Sequence, residues 1–131
     1  MNKIAMLCCS LLVGASLTAP VLADNPVAND MKVMGKSLRA AAGASDAAGM
    51  KTALEALKKA ATDARGQVPP DYKSQAADGP ERKAYVEGID ILLKQVADAE
   101  ALIDAGKLDE AKAAIKAMND TKKTYHQKLK V

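Results

Sequence analysis

The chain has 131 residues, with 19 Lys and Arg against 16 Asp and Glu, one histidine, two cysteines, three tyrosines and no Phe or Trp. That length holds one small domain. Both cysteines, Cys8 and Cys9, fall among the first ten positions, so the rest can build neither a disulfide framework nor a thiolate zinc or iron–sulfur site. The charges are interspersed along the chain as on solvated helix faces, whereas a nucleic-acid surface needs clustering, so no nucleic-acid partner is expected.

Met1-Asn2-Lys3 supplies a short basic start, and Ile4 to Leu22 is an uncharged run. A run of that length could span a bilayer. However, Ser10, Gly14, Ser16, Thr18 and Pro20 leave it weakly apolar, and Val21-Leu22-Ala23 ends in the small residue that a signal peptidase requires. Residues 1–23 are therefore expected to be a secretory signal peptide cleaved after Ala23, with residues 24–131 as the mature domain. That domain is expected in the periplasm, without membrane attachment. Cys8 and Cys9 lie too near the start for a lipoprotein site and leave with the signal. Loss of Lys3 lowers the net charge from +3 to +2.

Four segments then repeat apolar residues at helical spacing. The first carries Val27, Met31, Met34, Leu38 and Ala41, with Asn25 as N-cap, Pro26 at the first helical position and Gly43 at the end. The second starts near Ser45-Asp46, runs through Met50, Leu54, Leu57, Ala61 and Ala64, and stops at Gly66. The third follows Gly79-Pro80 with Tyr85, Ile89, Leu92, Val96, Ala99 and Ile103, and Gly106 closes it. The fourth starts near Leu108 and carries Ala111, Ile115, Met118, Lys122, Tyr125 and Leu129. No stretch alternates with the period of a strand.

Short links join the first two helices and the last two, and a longer polar stretch, 67–79, separates the pairs. Two helical hairpins in series predict an all-α, antiparallel up-down-up-down four-helix bundle. In that topology the start of the first helix lies beside the end of the fourth. Met31 and His126 therefore arrive at the same end of the bundle.

His126 is the only histidine, and its helical phase is near that of Ile115, at the edge of the apolar stripe. Taken alone, such a histidine is ordinarily a packed or half-exposed side chain, and a methionine on a core stripe is ordinarily a gap-filler. Together they are a recognised axial pair for haem iron. A core so poor in aromatic side chains also gains from a large apolar filler.

The run Lys123-Thr124-Tyr125-His126-Gln127-Lys128 is similar to the close of the soluble cytochrome b562 family, where Tyr-His-Gln-Lys carries a histidine ligand. Asp46-Ala47-Ala48, Lys51-Thr52-Ala53-Leu54, Pro69-Pro70, Gly88-Ile89-Asp90-Ile91-Leu92 and Gly106-Lys107-Leu108-Asp109-Glu110-Ala111 resemble the family in the same order and spacing. The resemblance covers essentially the whole mature chain. It implies one non-covalent haem b, with Met31 rather than Met34 as the methionine ligand and His126 as the histidine ligand. The absence of Cys-x-x-Cys-His agrees with non-covalent binding. Where the family places phenylalanines beside the haem, this chain has Tyr85 and Ile89. Where the family flanks the histidine with arginines, Lys122 and Lys130 stand, each able to pair with a haem propionate but without arginine's fork.

With both axial positions filled, the expected role is one-electron transfer to and from periplasmic redox proteins, by a monomer that is not an enzyme. Two other classes compete. A haem-free helical adaptor or chaperone-like protein would be colourless. An enzyme would need more than one histidine and scattered carboxylates to build a site.

Overall fold

A computed structural model describes residues 25–131, and the expected signal peptide with its cleavage point lies outside them. Helix α1 spans Pro26–Gly43, α2 Ala47–Arg65, α3 Pro80–Asp104 and α4 Leu108–Leu129. The order and the bounds follow the apolar periodicity closely, and no strand occurs among the described residues.

Local chemistry fixes the helix ends. The Asn25 side chain accepts a hydrogen bond from the Ala28 N–H at 3.2 Å, ahead of Pro26 at the first helical position. Asp46 accepts from the Gly49 N–H at 2.7 Å and starts α2 in the same way. Each such cap is worth about 1 kcal/mol, because it satisfies an N–H that the helix leaves without a partner. At the far end of α3, Gly106 takes a φ of 76°. Its N–H and that of Lys107 donate back to the carbonyls of Ile103 and Leu102 at 3.0 and 2.9 Å, a Schellman closure that turns the chain into α4.

The core is thin and alanine-rich, as the composition requires. Met50, Leu54, Leu57, Val96, Ile115 and Met118 are its largest fully buried side chains, among buried Ala41, Ala61, Ala64, Ala99 and Ala111. The small side chains let the helix backbones approach closely. Three ion pairs stitch α2 to α3: Lys51–Asp104 at 2.6 Å, Lys58–Glu100 at 3.0 Å and Arg65–Asp90. Helices α1 and α4 make the sparsest contact of the neighbouring pairs. The bundle is thus two tight hairpins joined firmly along α2 and α3 and loosely along α1 and α4.

The 67–79 connection is more ordered than its polar composition suggests. It holds a short 3-10 helix, Pro70–Tyr72, and buries the Tyr72 ring. The Tyr72 hydroxyl donates to the Leu129 carbonyl at 3.2 Å, and the Gln67 side-chain amide donates to Asp30 at 2.9 Å. This segment therefore fastens the start of α1 and the end of α4 from below.

Candidate functional site: an apolar cleft between the first and last helices

At the loosely joined seam the helices part around a cleft of about 790 Å³, including its open mouth. Helix α1 contributes Met31, Met34, Gly35 and Leu38, and α2 adds Leu57 at the back. Helix α3 gives Tyr85, Gly88, Ile89 and Leu92, and α4 gives Thr121, Lys122, Tyr125, His126 and Leu129.

The back wall is rigid. Tyr85 is buried and donates its hydroxyl to the Ala64 carbonyl of α2 at 2.7 Å. Burial, with the nearby Asp30 charge adding to it, pushes the phenol up to about 12. Ile89 is buried one turn further on. Beside it Gly88 lets the Tyr125 ring settle directly on the α3 backbone: a Cβ at Gly88 would come within 2.7 Å of that ring. The Lys128 ammonium stands 5.3 Å from the ring's centre while pairing with Glu87 at 3.3 Å. These contacts set the rotation of α4 and so the direction of its next residue, His126.

The front is open. His126 is solvent-exposed at the mouth, and among the described residues no hydrogen bond to its ring is found. Met31 is partly buried against the core on the opposite helix. Gly35 leaves open space where a side chain would stand. Thr121 turns its hydroxyl back to the Ala117 carbonyl, and Lys122 and His126 bring polar groups to the cleft.

Of the residues singled out in the sequence, Met31, His126, Tyr85, Ile89 and Lys122 line this one cleft, and Lys130 does not. Lys130 occupies the left-handed position that terminates α4, with φ 57°, and the Val131 N–H closes back onto the His126 carbonyl at 3.1 Å. Its backbone finishes the helix that carries the histidine. The sequence reading missed the two glycines of the cleft and the Tyr72 anchor. The one available signal for Tyr72 was an aromatic residue next to Pro69-Pro70-Asp71 in an otherwise polar link.

The donor set decides what the cleft can hold. No cluster of three or more His, Cys, Asp or Glu occurs among the described residues. One imidazole and one thioether are too few to cage a bare ion. They suit an iron that brings four equatorial ligands of its own, and the apolar walls with the open face at Gly35 suit a flat macrocycle.

Fold and cleft together define a helical bundle with an apolar cleft, open on one side, between its first and last helices. The sequence model of the cytochrome b562 family matches residues 26–130. A probable soluble cytochrome b562 of Yersinia pestis is 38% identical over 122 residues, covering 92% of this chain and 95% of its own length. A second from the same organism is 28% identical over 121 residues, covering 92% and 91%. An uncharacterised protein of Pasteurella multocida is 28% identical over 131 residues, covering 99% and 100%. The chain belongs to the cytochrome b562 family, whose members are haem-binding electron carriers. No helix among the described residues is long and apolar enough to cross a membrane.

Proposed function

We propose that the mature chain is a monomeric periplasmic one-electron carrier that holds one non-covalent haem b, with Met31 and His126 as axial ligands. The observation that carries this is the meeting of the chain's only histidine and a methionine, 95 positions apart, on facing helices of a single apolar cleft. When bound, the haem supplies a ferric/ferrous couple, and thioether ligation favours the reduced form relative to two histidines.

The chain's own residues do the rest. His126 would hold the iron through a neutral ring nitrogen. Tyr85, Ile89 and Leu92 present an apolar wall and keep water from one face. Lys122 at the rim offers a cation to a propionate, and Lys130, at the helix cap beyond the cleft lining, is the second candidate. With both axial ligands in place no open coordination site remains, which argues for a carrier over an enzyme. Residues 1–23 act as the export signal, with cleavage after Ala23.

The test is the absorption spectrum of hemin-reconstituted protein, oxidised and reduced, for wild type, Met31→Ala and His126→Ala. Sharp α and β bands in the reduced wild type are expected. Met31→Ala should turn high-spin, and His126→Ala should lose about ten-fold or more in hemin affinity. A wild type that stays colourless with hemin would end the cytochrome reading.

A further inference from the structure

The cations of the α2 and α3 surface are largely spoken for: Lys51, Lys58, Lys59, Arg65 and Lys94 all sit in ion pairs. The seam around the cleft mouth is different. Lys32 and Arg39 stand three residues before and four after Gly35, so they share its face of α1. Lys122 and Lys123 stand four and three residues before His126 on its side of α4, and Lys130 follows at the cap that ends the helix. All five are exposed, and none makes an ion pair among the described residues. The carboxylates of the two helices are fewer. Asp30 is held by Gln67, Asp109 and Glu110 are in the first turn of α4, and exposed Asp120 stands three residues before Lys123. Helix α3, diagonal to α1, carries Glu81, Glu87, Asp90, Asp98, Glu100 and Asp104 against three cations. Positive charge without an ion-pair partner thus gathers on α1 and α4, the helices that flank the cleft, where Lys36, Lys112 and Lys116 add to it.

We infer that this cationic rim is the docking surface for the redox partner, and that the partner is an electron-transfer protein with carboxylates around its own cofactor edge. This rests on the haem reading above. Two haem propionates at the mouth would neutralise two of the five cations and leave the rim positive. Opposite charge at the rim would steer the partner's exposed edge onto the cleft and raise the encounter rate, with little demand on buried contact area. One electron then passes from the reduced partner to the ferric haem, or from ferrous haem to an oxidised partner, with no bond made or broken.

The experiment uses hemin-loaded protein in stopped flow with photoreduced flavodoxin as the acidic donor, from about 10 to about 300 mM salt. The wild-type rate should fall about ten-fold or more across that range. A triple variant, Lys32→Gln, Arg39→Gln and Lys123→Gln, avoids the proposed haem contacts and should keep the wild-type spectrum. Its low-salt rate should drop about ten-fold and its salt dependence flatten. A control of equal charge change, Lys59→Gln, Lys83→Gln and Lys94→Gln, should stay within about two-fold of wild type. Equal rates in the two triples, or a salt-independent wild type, would overturn the docking surface while a normal spectrum left the cytochrome reading intact. Salt-independent transfer together with rim-dependent sedimentation on phosphatidylserine-containing vesicles would assign the rim to a membrane and overturn it too. Failure of wild type to take up hemin would remove both readings at once.

Discussion

Two glycines inside helices play opposite parts at the cleft. Each costs its helix about 1 kcal/mol relative to alanine. At Gly88 that cost is offset by the seat it provides for Tyr125. A methyl group 2.7 Å from the ring must displace it, and overpacking of that kind costs about 1–3 kcal/mol. Gly88→Ala should therefore destabilise the protein by about 1 kcal/mol net in chemical denaturation, and weaken hemin binding through the displaced His126. Gly35 meets nothing within 4 Å, so Gly35→Ala should stabilise the apo-protein by about 0.5–1 kcal/mol. Gly35→Leu, which fills the cleft, should cut hemin affinity while the apo fold survives. Tyr85 adds a pH dependence. Its folded-state pKa is raised, so its contribution is fully present below the usual phenol value. As pH rises from about 10 to about 12 the unfolded chain loses the proton more readily than the native one. Stability measured by urea midpoint should decline through that window, and less so in Tyr85→Phe.

At the scale of elements, the helices were legible because their signals are local: caps, glycine stops and the apolar stripe lie within a few residues of each other. The 67–79 connection was not. Its role depends on where Tyr72 and Gln67 reach after the chain has turned back on itself, and nothing in the local pattern encodes the Leu129 carbonyl or Asp30 as partners. Since Leu129 belongs to the last turn of α4, its carbonyl has no helical partner, and the Tyr72 hydroxyl supplies one. Tyr72→Phe should cost about 1 kcal/mol. It should also speed amide hydrogen exchange in residues 122–129 more than in α2. Exchange that accelerates equally in every helix would show that the strap does not act locally.

For the whole molecule, the sequence made the bundle and the meeting of Met31 with His126 at one cleft readable, because hairpin order alone brings α1 beside α4. Charge was read differently along the chain and in space. Lys32, Arg39, Lys122, Lys123 and Lys130 are scattered in sequence and come to flank one cleft only when the outer helices meet. The same topology predicts uneven stability. The α2–α3 seam carries three surface ion pairs, one of them through partly buried Glu100, and shares the fully buried core. The α1–α4 seam has sparse contact and an open cleft. Hemin in excess should raise the thermal midpoint, since a ligand at 100 times its Kd adds about 2.7 kcal/mol. The gain in hydrogen-exchange protection should concentrate in α1 and α4.

The loose seam is also the longest-range contact in the chain, while both hairpins close between sequence neighbours. Folding can therefore run nearly to completion on local contacts, with the cleft as its last and most reversible step. A guest the size of a macrocycle need not wait for global unfolding, because parting α1 from α4 opens the door while the α2–α3 spine stays shut. Residence time would then be set by a hinge, and a clamp across that seam would trap the cofactor without making its site any tighter.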